Sequence, residues 1–216
     1  MRKISFASRV MGMAEKEVVN MAENERDRRI QDMGTLKALA HPLRMRLYRA
    51  LTLAGTATAS QLAEQVDEAV SLASYHLRKL AEHGLIEEAE PGSGDGRERW
   101  WRPASDGVRI RDEDFRDAPE QIAAHTAASR LFFAQRSDMY LRFLDERPHW
   151  GEEWAPGAVS SEAVLRLTPA ELAELTGEML ALVRRYDELG RAAEAAGDAE
   201  GRENVAVHTY AFPFRT

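Results

Sequence analysis

Over residues 71–83 the chain reads SLASYHLRKLAEH. At helical periodicity Ser71, Ser74, Tyr75 and Arg78 share one side, with Lys79 at its flank, while Ala73, Leu77 and Leu80 take the other. The chemistry available to the first set is hydrogen bonding and charge. Small hydroxyl side chains let a helix sit deep against a surface, and a guanidinium can grip guanine O6 and N7, or a phosphate. A second cationic pair, Arg97 and Arg99, follows the Gly-rich turn PGSGDG at 91–96. Basic residues at such a tip suit phosphate or minor-groove contact.

Reaction chemistry finds no comparable constellation. The Gly cluster leads into an extended segment and lacks the Lys-Ser/Thr pair of a phosphate-cradling loop. Neither G-x-S-x-G nor H-E-x-x-H occurs. With no cysteine there is no disulfide, thiolate metal site or cysteine nucleophile. The six histidines, His41, His76, His83, His125, His149 and His208, include no pair at i,i+3 or i,i+4. His76 is expected to be packed and hydrogen-bonded rather than a ligand. Glu152 and Glu153 near His149 read as solvent-facing charge. The expectation is a protein that is not an enzyme, with no cofactor and no metal site.

The elements that must position the polar helix face are legible in order. A helix around 35–40 ends at His41-Pro42, because a residue before proline is biased away from the helical region. Pro42 suits the first turn of the next helix. That helix sets Leu43, Leu47, Ala50, Leu51 and Ala54 on one face and closes at Gly55. Its Arg44, Arg46 and Arg49 lie on other faces, within reach of phosphate or solvent. Thr58-Ala-Ser-Gln61 has the form of a capping box and starts a short helix through Val66, with Leu62, Ala63 and Val66 inward. The polar-faced helix follows and ends at Gly84. Residues 85–89 and 97–102 then form a hairpin, in which alternation separates Arg97, Arg99 and Trp101 from Glu98, Trp100 and Arg102.

Three short helices followed by a hairpin describe a winged helix-turn-helix. The blocks LKALAHPLRMRLYRAL, SQLAEQV, ASYHLRKLAEHGLIEE and GRERWWRP, about a third of the chain, resemble the ArsR-type (arsenic-repressor-like) winged-helix regulators. The resemblance implies a dimeric repressor, or less often an activator, on a pseudo-palindromic operator. It places Ser71, Ser74, Tyr75, Arg78 and Lys79 on the recognition helix and Arg97 and Arg99 on the wing. Metal-sensing members carry cysteines beside that helix or Asp/His/Glu sets on the dimerisation helix. The absence of cysteine and the scattered histidines therefore indicate a non-metal-sensing branch, here with a C-terminal extension.

The net charge of -7 is unevenly placed. Residues 1–32 carry 7 basic against 6 acidic side chains, residues 33–104 carry 9 against 9, and residues 105–216 carry 13 against 21. The acidity lies in the C-terminal half, so a local basic face on the DNA module is compatible with it. No apolar run approaches membrane-spanning length, and no uninterrupted apolar core follows the N-terminal basic residues, so neither a membrane span nor a signal peptide is expected. The expected compartment is the cytoplasm.

Residues 1–32 read as a flexible or helical N-terminal extension, and Met11, Met13, Met21 and Met33 leave the natural start open. Residues 33–104 form the winged helix-turn-helix, 105–118 an acidic linker, and 119–216 a dimerisation region in which a sensing role stays open. A long helix over 120–146 carries Ile122, Leu131, Phe132, Phe133, Met139, Tyr140, Phe143 and Leu144 on more than one face, which suits burial on two sides and a dimer contact. Trp150 and Trp154 stand in the loop at 147–157, where they would plug a core or lid a pocket. Residues 163–167 read as a strand, Thr168-Pro-Ala-Glu171 as a capping box, and Leu172, Leu175, Met179, Leu182, Val183, Tyr186 and Leu189 as one helical stripe. Residues 205–212 read as a returning strand. The fold class expected is mainly α with small β: a winged helix-turn-helix plus a helical or α+β C-terminal region. The partners expected are double-stranded DNA and a second copy of the chain, with a small-molecule effector left open. The alternative is a winged helix used for protein–protein contact without specific DNA binding.

Overall fold

The computed structural model describes residues 27–90, 98–198 and 200–215. The described residues divide into two units, 27–152 and 153–215.

The first unit is built on β1 (Asp27–Ile30), α1 (Met33–Ala40), α2 (Pro42–Ala54), β2 (Ala57–Thr58), α3 (Ala59–Gln65), α4 (Val70–Glu82), β3 (Ile86–Ala89), β4 (Trp100–Pro103), β5 (Gly107–Ile110) and α5 (Pro119–Glu146). The local signals work as expected. His41 is extended and Pro42 opens α2. Gly55 closes that helix at φ +68°, where a Cβ would be strained. Both halves of the Thr58–Gln61 capping box are made: the Thr58 hydroxyl accepts from the Gln61 backbone N–H, and the Gln61 side-chain Oε1 accepts from the Thr58 N–H. The core gathers Leu36, Leu39, Leu43, Leu47, Leu51, Leu62, Leu77, Leu80, Leu85 and Trp101 from every helix of the module and from the hairpin. Ala54 is exposed, whereas Tyr48 is buried in its stead.

The wing is a three-stranded antiparallel sheet in the order β2-β4-β3. In its register Glu87 faces Arg102 and Glu88 faces Trp101. Trp101 faces the core, and Arg102 is exposed. The turn expected at 91–96 lies outside the described residues.

Three expectations for this unit change. Most of the N-terminal extension lies outside the described residues, but 27–30 is a strand, paired in parallel with Gly107–Ile110. Residues 105–118 are accordingly not a free linker: β5 and the 3-10 turn Asp112–Phe115 belong to the fold, and Phe115 is fully buried. The pairing is fastened by ions. Arg29 meets Asp114 with both arms of its guanidinium, at 2.8 and 2.6 Å, and Arg109 meets Asp27 at 2.9 Å. Finally, α5 packs on α1 and contributes Ala128 and Phe132 to the same core, so it belongs to the same unit as α1–α4. Of its other apolar residues, Ile122, Leu131, Phe133, Tyr140, Leu141 and Leu144 are exposed in the single chain.

In the second unit the described residues comprise the 3-10 turn that reaches Trp154, α6 (Pro169–Ala195) and chain without assigned helix or strand. The capping box starting α6 is complete, with the Thr168 N–H donating to Glu171 at 2.7 Å. Among the described residues no ladder is assigned to 163–167 or 205–212, the two segments expected as strands. Their Val164, Leu165, Val205 and Val207 are exposed. The tryptophan pair does not plug a core either: Trp150 is exposed and Trp154 only partly covered.

Candidate nucleic-acid interface

The site is a helix held by one face so that the other is free. Ala73, Leu77 and Leu80 of α4 have no exposed surface and pack against α2 and α3. Ser71, Tyr75 and Arg78 are exposed on the opposite side, and Ser74 and Lys79 are half-buried. The structure therefore brings all five expected helix residues onto one presenting surface.

Tyr75 is held upright by its neighbours. Its ring stands edge-on to His76 at 5.1 Å, and the Lys79 Nζ lies 5.9 Å from its centroid. Lys79 is also paired with Glu82 at 2.7 Å. That hydrogen bond and charge raise the Lys79 pKa and lower that of Glu82. No ion pair engages Arg78 among the described residues, and it is the most available cation on the helix.

An open groove of about 480 Å³ runs between the C-terminal half of α4 and the wing, and Arg78, Glu82, Glu88, Arg99 and Trp101 line it. Arg99 lies over the Trp101 ring at 5.5 Å and pairs with Glu88 at 3.1 Å. Beside it Arg102 pairs with Glu87 at 2.7 Å. These pairs are solvent-exposed and weak in water, so a polyanion entering the groove can exchange them for its phosphates. Arg97, the other wing residue expected at the site, lies outside the described residues.

The arginines of α2 have mainly structural tasks. Arg44 donates to the carbonyls of Ala38 and, at 3.2 Å, Lys37, satisfying the C-terminal end of α1. Arg46 donates to the Val66 carbonyl and pairs with Glu68 at 3.4 Å, bracing the turn before α4. Arg28 of β1 donates to the carbonyl of Gly84, where α4 ends. Gly84 has φ +62°, and a Cβ there would come within 2.8 Å of the Arg28 guanidinium.

Sequence spacing did not reveal that His41 and His76 meet. Their ring centroids are 4.5 Å apart, at the junction of α1, α2 and the presenting helix. His76 is buried as expected, but the Nδ1 atoms of both rings lack hydrogen-bond partners. Burial lowers both pKa values, with Arg44 adding to the effect. Among the described residues no group of three or more His, Cys, Asp or Glu side chains could hold a metal ion. No helix among them is long and apolar enough to cross a membrane.

Residues 39–89 match a helix-turn-helix domain model. The match runs from the end of α1 to the end of β3 and takes in three of the four blocks that carry the sequence resemblance, the first of them from Leu39, without GRERWWRP. The chain has no match among curated proteins. Among solved structures it is similar to a possible transcriptional regulator for arsenical resistance, at 29% identity over 50% of this chain and 93% of that one, with a TM-score of 0.29. It is also similar to the homodimeric winged helix-turn-helix DNA-binding domain of a possible ArsR-family transcriptional regulator from Mycobacterium bovis. There the identity is 18%, over 62% of this chain and 92% of that one, with a TM-score of 0.29.

Proposed function

We propose that this protein is a sequence-specific DNA-binding transcriptional regulator, working as a cytoplasmic homodimer and a repressor on a pseudo-palindromic operator. The observation that carries the reading is the two-sidedness of α4. Its inner face is sealed into the core, while Ser71, Ser74, Tyr75 and Arg78 stand outward beside a groove that Arg99 shares. Short polar side chains flanking a guanidinium suit a helix lowered into the major groove, with the wing against the neighbouring backbone. The match of residues 39–89 to a helix-turn-helix domain supports the same use.

The exposed apolar residues of α5 supply a surface for a second copy, and two-fold symmetry would present two α4 helices to half-sites one helical turn apart. Bound across a promoter, such a dimer would exclude polymerase. A small-molecule effector would act by changing the spacing of the two helices. The reading assigns the chain no catalysis.

One observation favours the alternative of a protein-binding winged helix: Lys79, Arg99 and Arg102 each already face a glutamate. Selection of random-sequence duplexes by the purified full chain separates the two. Enrichment of a short inverted repeat supports the regulator; no enrichment at low salt supports the alternative.

A further inference from the structure

The described part of the second unit has no core of its own. Among its described residues only Gly177 is buried, although α6 carries a continuous apolar stripe. Leu182, Tyr186 and Leu189 are 51%, 62% and 56% exposed. A stable helix of this kind needs its apolar face covered.

The spacing of the stripe says by what. Leu172, Leu175, Met179, Leu182, Tyr186 and Leu189 follow one another at alternating intervals of three and four residues. That is the repeat of a coiled-coil seam, sustained through the helix, with Leu172, Met179 and Tyr186 at one seam position and Leu175, Leu182 and Leu189 at the other. We infer that α6 pairs with the α6 of a second copy, antiparallel, about a two-fold axis passing between Leu180 and Ala181. The inference rests on the homodimer of the proposed function and names a surface through which it forms.

Two features fix the orientation. About that axis every seam residue meets one of the other class: Leu172 meets Leu189, Leu175 meets Tyr186 and Met179 meets Leu182. The flanking charges agree, because Glu178 of each copy falls beside Arg185 of the other, giving two symmetry-related opposite-charge pairs. A parallel pair would instead stack Tyr186 on Tyr186 and set Glu178 opposite Val183 and Arg185 opposite Gly190, with no charge matched. Within the chain, Arg185 lies over the Tyr186 ring at 5.1 Å, and no ion pair engages it or Glu178 among the described residues. Both charges are therefore available to the second copy.

The test is sedimentation equilibrium of the full chain with charge-reversal variants whose helix content is checked by circular dichroism. Glu178→Arg and Arg185→Glu should each weaken self-association roughly tenfold, since two attractive pairs become repulsive. An equimolar mixture of the two variants should recover wild-type affinity, because the heterodimer restores both pairs. The chain has no cysteine, so one introduced at Ala192 can be spin-labelled alone. The antiparallel pair puts the two labels about 35 Å apart, where a parallel pair would put them about 10 Å apart. A short distance would overturn the antiparallel arrangement, and single variants that dimerise like the wild type would overturn the α6 pairing, either result leaving the homodimer standing. A monomeric wild type would overturn both. Charge-swap recovery in a chain that selects no DNA would keep the pairing and reject the regulator.

Discussion

Mild acid should weaken the first unit through two histidines. His41 and His76 lie ring to ring at 4.5 Å, each with a buried Nδ1 that lacks a partner. Burial is the main cause of the low pKa of each; Arg44 adds to both, His41 adds to that of His76, and Glu68 partly opposes it. Tyr75, on the other side of His76, presents its ring edge. Both imidazoles thus stay neutral in the folded chain at a pH where the unfolded chain binds protons. Their stabilisation is complete above the unfolded pKa of about 6.5 and is lost as the pH falls below it, until the folded pKa is reached. A ring that stays neutral contributes a slope of about 1.4 kcal/mol per pH unit there, and two such rings have a limit of about 2.7 kcal/mol per unit. The carboxylates with lowered pKa values act in a more acid window. Asp32, held down chiefly by the Thr35 N–H, and Asp114, held down chiefly by Arg29, both start from 3.8. Urea unfolding followed by tryptophan fluorescence at constant ionic strength, from pH 7.5 to 5, reads the slope. His41→Asn, which keeps a residue suited to the N-cap of α2, and His76→Gln should each reduce it by about half. A flat profile, stability that rises on acidification, or an unchanged slope in both variants would refute the reasoning.

Other substitutions probe how the presenting helix is held. Thr58→Ala removes one arm of a completed capping box and should cost about 1–2 kcal/mol by urea unfolding, with the helix-turn-helix otherwise intact. Leu77→Ala opens a cavity under α4 at a fully buried site and should cost about 2–5 kcal/mol in the same assay. Glu88→Gln removes the carboxylate that faces Arg99 at 3.1 Å, so DNA affinity measured by fluorescence polarisation should rise, most at low salt. An unchanged affinity there would place the wing away from the phosphates.

What the sequence made legible was local chemistry. Proline after His41, the Thr58 and Thr168 capping boxes and the positive-φ glycines at 55 and 84 act within one turn of chain, and each sits where its spacing places it. The polar face of α4 was legible for a related reason, since helical periodicity alone separates Leu77 from Arg78. The parallel pairing of Asp27–Ile30 with Gly107–Ile110 was not, because its partners lie some eighty residues apart and DRRI has no apolar alternation. Arg29 and Arg109 brace it through acids that only the fold brings near. The same holds for the His41–His76 contact and for the glutamate beside Arg99, whereas Glu82 stands three residues after Lys79 on the same helix and is a local pair.

The central claim is that α4 reads base edges through Arg78. Its most direct test is binding of the full chain and of Arg78→Ala to a selected inverted repeat and to a scrambled duplex, at two salt concentrations. The account predicts that the variant loses about 1–3 kcal/mol per half-site on the repeat while its salt-sensitive binding to the scrambled duplex changes little. Equal losses on both duplexes would make Arg78 a phosphate contact, and no loss on either would remove α4 from the interface.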